Sequence, residues 1–338
     1  MKETIGWGIL GLGRIANDFA TSLRELPDAR VAAAGSRDIE KSRKFCELYG
    51  GKPYGSYEEM ANDPDVDIIY VATPHNYHEE HVLLCVNAGK NVLCEKPFAI
   101  NAAQAQRMYD AAREKNVLLM DGLWSRYFPA WEFATDYIKK GEMGKILAIN
   151  SATCWGFDAR VNRDPKGRLF DINLAGGALL DAGVYSLAVS TLLLGDDVYP
   201  KTINAFSQMG KSGVDEMDLI SMQYDSGVLF TMICGLPGNL HETHILLEGG
   251  TITIPEHRKP ETVIISGRQR ADDWRYSMSR SYHFPYPTEG FQYEAAHAHD
   301  CLRKGLKTSP RVTPKESLIL MRICDEVRRQ ASFTYPFE

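Results

Sequence analysis

The chain lacks the sequence features that mark several classes of protein. Its seven cysteines are scattered and form no CxxC pair, which argues against a redox pair and a zinc knuckle. It has no basic run and a formal net charge of −6, so nothing indicates nucleic-acid binding. The longest apolar stretch, around Leu187 to Leu194, is far too short to span a bilayer. We therefore expect a cytoplasmic protein with reduced thiols.

Three histidines are the other candidate for a metal site. His75, His78 and His81 recur at intervals of three, and at that spacing side chains drift around a helix. No carboxylate-rich segment accompanies them. We expect no metal site.

The length and the order of elements predict two domains. The chain has 338 residues, 44% hydrophobic and 24% charged, which is ordinary for a globular protein of two domains. Strands and helices alternate up to Gly122. This rhythm predicts an α/β Rossmann domain over residues 1–122, with a parallel sheet covered on both faces.

After Gly122 the pattern changes to strands of alternating polarity separated by tight turns. It predicts an α+β domain over residues 123–338, with a mostly antiparallel, open-faced sheet and the C-terminal helix packing back on the Rossmann domain. Helices on one face would leave the other to a second copy, so we expect a homodimer or a dimer of dimers. The predicted strands are 146–154, 202–209, 218–224, 228–234, 241–248 and 251–254, and the predicted helices are 127–140, 178–194, 291–303 and 314–330.

A dinucleotide fingerprint follows the first predicted strand. In Gly11-Leu12-Gly13-Arg14-Ile15-Ala16, Gly11 permits a tight turn, Gly13 lets the backbone approach a pyrophosphate, and Ala16 allows close helix–sheet packing. Free N–H groups at the start of the following helix suit phosphate. Because the motif lies between a strand and a helix, it predicts a nucleotide-binding loop that includes Arg14 and Ile15.

The end of the second strand distinguishes between NADP and NAD. Ser36 and Arg37 lie about 20 residues past Ala16, where a hydroxyl and a guanidinium can hold a 2′-phosphate. Asp38 follows and is the competing reader of an NAD ribose. We favour NADP, with NAD possible. The loop after the next strand, which should line the cofactor's other side, contains Thr73, Pro74, His75 and Asn76, and His78 just after it is a further candidate for cofactor binding.

Glu95-Lys96-Pro97 closes an apolar segment that is typical of a buried strand. In an open α/β sheet, ligands bind at the carboxyl ends of the strands. The proline fixes its own φ and restricts the lysine before it. The sequence therefore predicts that Lys96 is a catalytic lysine held against a nicotinamide cofactor.

A second polar cluster lies in the apolar helix 178–194. Asp181 and Tyr185 are four residues apart and share one helix face. They could simply satisfy each other or the backbone. In the functional interpretation, Tyr185 takes a hydroxyl proton with Lys96 favouring its phenolate, or Lys96 itself is the acceptor. Asp181 would orient the lysine or a substrate hydroxyl.

These residues resemble the glucose–fructose oxidoreductase and inositol dehydrogenase family over essentially the whole chain. Within the family, the motifs are most similar to those of dimeric dihydrodiol dehydrogenases and NADP-dependent D-xylose dehydrogenases. The resemblance implies a Rossmann domain, a substrate domain that dimerises through its sheet, and the roles given above for Lys96, Asp181 and Tyr185. The motifs are Gly11 to Ala16, Ala72-Thr73-Pro74, His78, Cys94 to Pro97, Gly122 to Pro129, Gly176 to Tyr185 and Cys301 to Leu306.

We therefore expect an NADP-dependent dehydrogenase that oxidises a hydroxyl of a sugar, cyclic polyol or dihydrodiol. Two alternatives stay open, namely an oxidation–elimination–reduction with retained cofactor and a non-catalytic NADP-binding sensor. Aromatic and cationic side chains near the predicted domain junction and the first strand of the second domain are candidates for substrate contact: Trp124, Arg126, Phe128, Trp155, Phe157, Arg163 and Arg168.

Overall fold

The computed structural model describes residues 3–156, 167–268 and 277–338. Backbone contacts divide the chain into two compact units. The first contains residues 1–124 and 286–318, and the second contains residues 125–285 and 319–338. The segment from 286 to 318 thus belongs to the same unit as the N-terminal part of the chain.

The first unit contains a parallel six-stranded sheet of order β3-β2-β1-β4-β5-β6. This order, with β1 and β4 as neighbours at the centre, is the Rossmann arrangement and confirms the predicted fold class. The short edge strand β3 was not predicted. The strands are β1 (Ile5–Leu10), β2 (Ala29–Gly35), β3 (Lys52–Tyr54), β4 (Ile68–Val71), β5 (Asn91–Glu95) and β6 (Leu119–Gly122).

The helices of this unit begin at side-chain caps where the sequence provides them. Asp38, Ser56 and Asn101 each accept a hydrogen bond from a backbone N–H in the first turn of the helix that follows, as N-cap residues do. The helices are α1 (Arg14–Leu23), α2 (Ile39–Tyr49), α3 (Tyr57–Ala61), α4 (His78–Asn87), α5 (Ala102–Lys115) and α8 (Phe291–Arg303), with part of α9 (Pro314–Gln330).

Helix α8 packs on α1 and completes the apolar core on that side of the sheet. Phe291 makes an edge contact with Phe19, with 6.1 Å between ring centroids. Phe19 in turn stacks on Tyr70 of β4 at 3.8 Å. His299 accepts a 2.9 Å hydrogen bond from the indole N–H of Trp7, so a buried polar pair fixes α8 against β1.

The second unit is built on a nine-stranded sheet in which only β7 and β10, among the pairs described, run parallel. This confirms the predicted mostly antiparallel sheet, although β11, β14 and β15 were missed. The strands are β7 (Ile146–Trp155), β8 (Thr202–Met209), β9 (Asp215–Gln223), β10 (Leu229–Gly235), β11 (Asn239–Leu240), β12 (Thr243–Leu247), β13 (Gly250–Ile254), β14 (Thr262–Arg268) and β15 (Ser277–His283).

The long apolar helix predicted over residues 178–194 differs from the observed structure at its start. A π-helical turn covers Leu179–Gly183, and the α-helix α7 covers Val184–Leu194. The hydrophobic pattern alone does not distinguish the two, because both keep the backbone helical. Helix α6 (Pro129–Lys139) also starts later than predicted, since proline takes the first helical position.

Among the described residues, one helical stretch is long and apolar enough to cross a membrane. It runs from Ile172 to Leu194 with a mean hydropathy of 1.6, which is longer than the sequence predicted. However, 83% of the apolar window is buried inside the protein, as is expected of a core helix.

One face of the second sheet is exposed and apolar. Register places Phe206 of β8 opposite Leu219 of β9, and Leu219 opposite Ile233 of β10. These three side chains are 70%, 47% and 37% exposed. Leu229 and Leu246 form a second exposed row on either side of Ala148.

Candidate active site

The loop after β1 leaves space at the start of α1. Gly11 has a φ of +90°, and a Cβ there would lie 2.7 Å from the Thr73 side chain. At Gly13 a Cβ would meet nothing within 4 Å, and no side chain caps the first turn of α1. The start of α1 therefore has open space at Gly13 and no side-chain cap, an arrangement that suits a bound phosphate.

Beside this loop, the end of β2 presents one guanidinium and a carboxylate that is already in use. Asp38 accepts a 3.0 Å hydrogen bond from the N–H of Glu40 and thereby caps α2. Ser36 is buried, and its hydroxyl accepts a 3.2 Å bond from the N–H of Asp38. Arg37 is exposed.

The side chain of Thr73, in the loop after β4, contacts a buried histidine, His81. The Thr73 hydroxyl lies 2.9 Å from Nδ1 of His81, and burial and the nearby Arg37 charge lower the pKa of His81 to about 4. His75 is buried and Asn76 is half-buried. The contact between Thr73 and His81 therefore holds the Thr73 side chain in place.

His78 joins that loop to the Lys96 turn. Its Nε2 lies 2.9 Å from the carbonyl oxygen of Thr73, and its Nδ1 lies 2.8 Å from the carbonyl oxygen of Pro97. The ring is fully buried, and burial lowers the pKa of His78 to about 4. His78, predicted to contact the cofactor, thus directs both ring nitrogens at the backbone.

Lys96 follows β5 in a turn whose backbone is fixed on both sides. The Lys96 N–H donates a 3.1 Å hydrogen bond to Oε2 of Glu95. Oε1 of the same carboxylate accepts a hydrogen bond from the Tyr70 hydroxyl. The Lys96–Pro97 peptide bond is cis. The Glu95 carboxylate, at the end of β5, therefore links the Lys96 backbone to Tyr70 of β4.

A buried carboxyl of α8 near this turn was missed by the sequence analysis. Glu294 is 0% exposed, and neither carboxyl oxygen has a hydrogen-bond partner. Burial, with Glu95 and Asp121 nearby, raises the pKa of Glu294 well above its usual value, because all three disfavour the charged form. No motif could have indicated it, because the contact joins distant parts of the chain.

In the second unit, Asp181 lies in the π turn and pairs with Arg168, which the sequence indicated only as a candidate substrate contact. Its Oδ1 accepts a 2.8 Å hydrogen bond from the Arg168 guanidinium. The Asp181 side chain is 5% exposed and that of Arg168 is 42% exposed. The more exposed Arg168 guanidinium thus holds the buried Asp181 carboxylate in one orientation.

Tyr185, one turn further on, is also buried. Trp155, at the end of β7, meets its ring edge-on with 6.0 Å between centroids. The Arg258 guanidinium lies 4.5 Å from the centroid of the Trp155 ring, and the His241 ring lies 5.8 Å from it. Arg258 and His241 were not predicted, because they reach Trp155 from separate loops.

The other predicted substrate contacts are distributed over both units. Trp124 stacks on Phe291 at 4.5 Å between centroids. Arg126 is buried and Phe128 is 0% exposed, so Phe128 packs in a core. Phe157 and Arg163 lie outside the described residues. No group of three or more metal-ligating side chains occurs in the described ranges.

Both halves of the chain match one family. Residues 5–123 match the GFO_IDH_MocA "Oxidoreductase family, NAD-binding Rossmann fold". Residues 131–253 match the GFO/IDH/MocA C-terminal domain. Together these matches cover most of the two units.

The chain is also similar to named proteins over its whole length. It is 37% identical to a trans-1,2-dihydrobenzene-1,2-diol dehydrogenase of Mus musculus, covering 98% of each chain. It is equally similar to the protein of that name in Xenopus tropicalis, covering 98% of this chain and 99% of the relative. The fold matches an aldose-aldose oxidoreductase from Caulobacter crescentus with a TM-score of 0.85 and 25% identity, covering 97% of this chain and 98% of the other. The chain therefore belongs to the GFO/IDH/MocA family of oxidoreductases.

Proposed function

We propose that this protein is an NADP-dependent dehydrogenase acting on a secondary or anomeric hydroxyl of a sugar, a related cyclic polyol or a trans-dihydrodiol. The observation that carries the proposal is the fixed Lys96 turn next to an open nucleotide loop in a chain of this family. The names of the relatives and of the aldose oxidoreductase support the substrate range.

The residues of the first unit fit a nicotinamide dinucleotide. The space at Gly13 and the uncapped start of α1 suit the pyrophosphate. Arg14 and Ile15 at the start of α1 would flank it, since Ile15 is 40% exposed. The loop with Thr73, Pro74, His75 and Asn76 and the turn at Glu95, Lys96 and Pro97 would line the nicotinamide end.

The choice of NADP rests on the charges at the end of β2. Asp38 is engaged as the cap of α2, which reduces its availability to bind a ribose hydroxyl. The Arg37 guanidinium is exposed, and a planar guanidinium is well suited to a phosphate. The Ser36 hydroxyl would complete the 2′-phosphate site.

The proposal assigns the proton transfer to this chain's own side chains. A bound nicotinamide would supply the acceptor for a hydride from the substrate carbon. Lys96 and Tyr185 form the acid–base pair that removes the hydroxyl proton, and Asp181, held by Arg168, positions it. Whichever of the two groups removes the proton can return it in the reverse reaction.

The surroundings of Tyr185 support a hydroxylated ring as substrate. Trp155 offers an aromatic surface next to Tyr185, and such surfaces bind the apolar faces of sugars and cyclic diols. His241 and Arg258 add polar groups around the same indole. Trp124, Arg126 and Arg168 remain candidate substrate contacts, as do Phe128, Phe157 and Arg163.

The test is nicotinamide reduction by the purified protein with a panel of aldoses, inositols, sugar acids and trans-dihydrodiols. NADP and NAD are run in parallel with each compound. The proposal predicts turnover of one class, with a higher kcat/KM for NADP. Tight NADP binding without turnover of any compound would contradict it and favour a sensor or a reaction with retained cofactor.

A further inference from the structure

The π turn that carries Asp181 is anchored from beneath by a buried aspartate. The N–H of Leu179, the first residue of the turn, donates a 2.6 Å hydrogen bond to Oδ2 of Asp215. Asp215 begins β9 and is 3% exposed. A side chain of β9 therefore provides the hydrogen-bond acceptor for an N–H group at the start of the turn.

The chain leaves room for this carboxyl at Gly177. A Cβ at Gly177 would lie 2.1 Å from Oδ1 of Asp215, and the residue has a φ of +124°. Both the space and the backbone angle exclude an ordinary side chain. The backbone at Gly177, two residues before the turn, thus lies directly against the Asp215 carboxyl.

A second buried carboxyl, that of Asp218, and the thiol of Cys234 also lie beneath the π turn. Asp218 is 1% exposed and accepts hydrogen bonds from the Ser207 hydroxyl and, at 3.5 Å, from the Cys234 thiol. A Cβ at Gly183, the last residue of the π turn, would lie 3.0 Å from that sulfur. The buried group therefore underlies both ends of the turn.

This arrangement is costly for the fold. Burial and the neighbouring Asp218 carboxylate raise the pKa of Asp215 well above its usual value. Removing two carboxyls from water opposes folding unless their hydrogen bonds compensate. A core of apolar side chains would avoid that cost, so the polar pair calls for a reason beyond stability.

We propose that Asp215 is a positioning residue of the reaction, which holds the π turn so that the Asp181 carboxylate and Tyr185 keep their reactive orientation. The inference rests on the proposed function, because the reaction defines the orientation that matters. A π turn is rare and is frequently found at functional sites. Without the acceptor for Leu179, the segment can relax to an ordinary α-helix, which would rotate Asp181 relative to Arg168.

The test compares Asp215→Ala with Asp215→Asn in the full-length enzyme. Asparagine keeps the shape and a neutral acceptor, so its kcat should stay within about threefold of wild type. Alanine removes the acceptor, and kcat should fall roughly 10- to 100-fold, the cost of a misplaced reacting group. The Kd for NADP should be unchanged, because the nucleotide loop belongs to the other unit.

Ser190→Ala is the matched control. Ser190 is a buried hydroxyl in α7 that donates a 2.7 Å bond to the carbonyl of Leu187, outside the π turn. Its loss should alter stability while leaving kcat intact. A kcat of Asp215→Ala within about twofold of wild type on folded protein would overturn the inference, as would an asparagine variant as impaired as the alanine variant.

Hydrogen exchange followed by mass spectrometry separates this inference from the proposed function. In Asp215→Ala, the segment 176–186 should exchange faster than in wild type while the rest of the second unit is unchanged. If Asp215→Ala does not fold, Gly177→Ala provides the same displacement of the carboxyl. Unchanged exchange would overturn the anchor even if the enzyme is active. Faster exchange in a protein that oxidises no substrate would instead contradict the proposed function.

Discussion

At the scale of the residue, one hydrogen bond bears on the choice of cofactor. Asp38 has the right position to read an NAD ribose, but its carboxylate caps α2 through the N–H of Glu40. Arg37, next to it, is exposed. The sequence contains both candidates side by side, and only the structure shows which of them has another task.

We predict that Arg37→Ala changes cofactor preference. A charge-assisted bond to a phosphate contributes about 1.5–3 kcal/mol, so KM for NADP should rise roughly 10- to 100-fold, while KM for NAD stays nearly constant. Steady-state kinetics with both cofactors measure the effect. Lys41→Ala, a nearby exposed cation on α2, is the control. An equal loss with both cofactors would exclude a 2′-phosphate role.

Glu294 provides a prediction on pH. Its pKa is raised in the folded protein, whereas the unfolded chain ionises near the ordinary value of about 4.3. Above that pH the unfolded state releases a proton that the folded state keeps, so folding loses up to about 1.4 kcal/mol per pH unit until the folded pKa is reached. The penalty disappears at lower pH.

Glu294→Gln should therefore stabilise the protein at pH 8 and leave it nearly unchanged near pH 4.5. Urea unfolding at both pH values gives the difference in the free energy of unfolding. Glu142→Gln, at an exposed position, should show no such dependence. An equal effect of Glu294→Gln at both pH values would mean that folding does not raise the pKa of this carboxyl.

At the scale of the element, the sequence predicted what local patterns determine. The βαβ rhythm and the glycine loop depend on neighbouring residues, and they appear in the structure as the Rossmann sheet and an open loop. The π turn at Leu179 depends on Asp215, far along the chain. The same reason explains why His78, Glu294 and Arg258 could not be given their contacts from the sequence.

The start of α1 allows the cofactor site to be separated from the fold. Gly13 has a φ of −88°, which any residue adopts, and a Cβ there meets nothing. Gly13→Val should therefore fold with a melting temperature near that of wild type but lose most of its affinity for NADP, because the side chain fills the proposed pyrophosphate space.

Gly11→Ala is the contrasting variant, because its positive φ and the close Thr73 side chain strain the fold itself. It should lower the melting temperature. Isothermal titration with NADP and thermal unfolding distinguish the two effects. Wild-type NADP affinity in Gly13→Val would place the nucleotide elsewhere.

For the whole molecule, the exposed apolar face of the second sheet is the surface that bears on association with other proteins. Phe206, Leu219 and Ile233 form a row across β8, β9 and β10. On the neighbouring strands β7 and β10, the uncharged side chains of Asn150 and Thr231 bond to each other at 2.7 Å. We propose that a second copy of the chain covers it, as in the predicted homodimer.

Charge placed on this face should prevent association. Leu219→Lys together with Ile233→Lys should convert a dimer to a monomer in analytical ultracentrifugation, because lysine at the centre of an interface is poorly tolerated. Ser226→Lys, in the turn between β9 and β10, is the control. A dimer that persists with both lysines would assign the interface to another surface.

The role of Lys96 in the chemistry can be measured with the variant Lys96→Met. Methionine keeps a long side chain but cannot carry a proton. We predict that kcat with the best substrate falls by roughly two to four orders of magnitude, the usual contribution of an acid–base group, while the Kd for NADP changes little. Lys115→Met, at an exposed position, should remain fully active. Near-normal turnover by Lys96→Met would contradict the account.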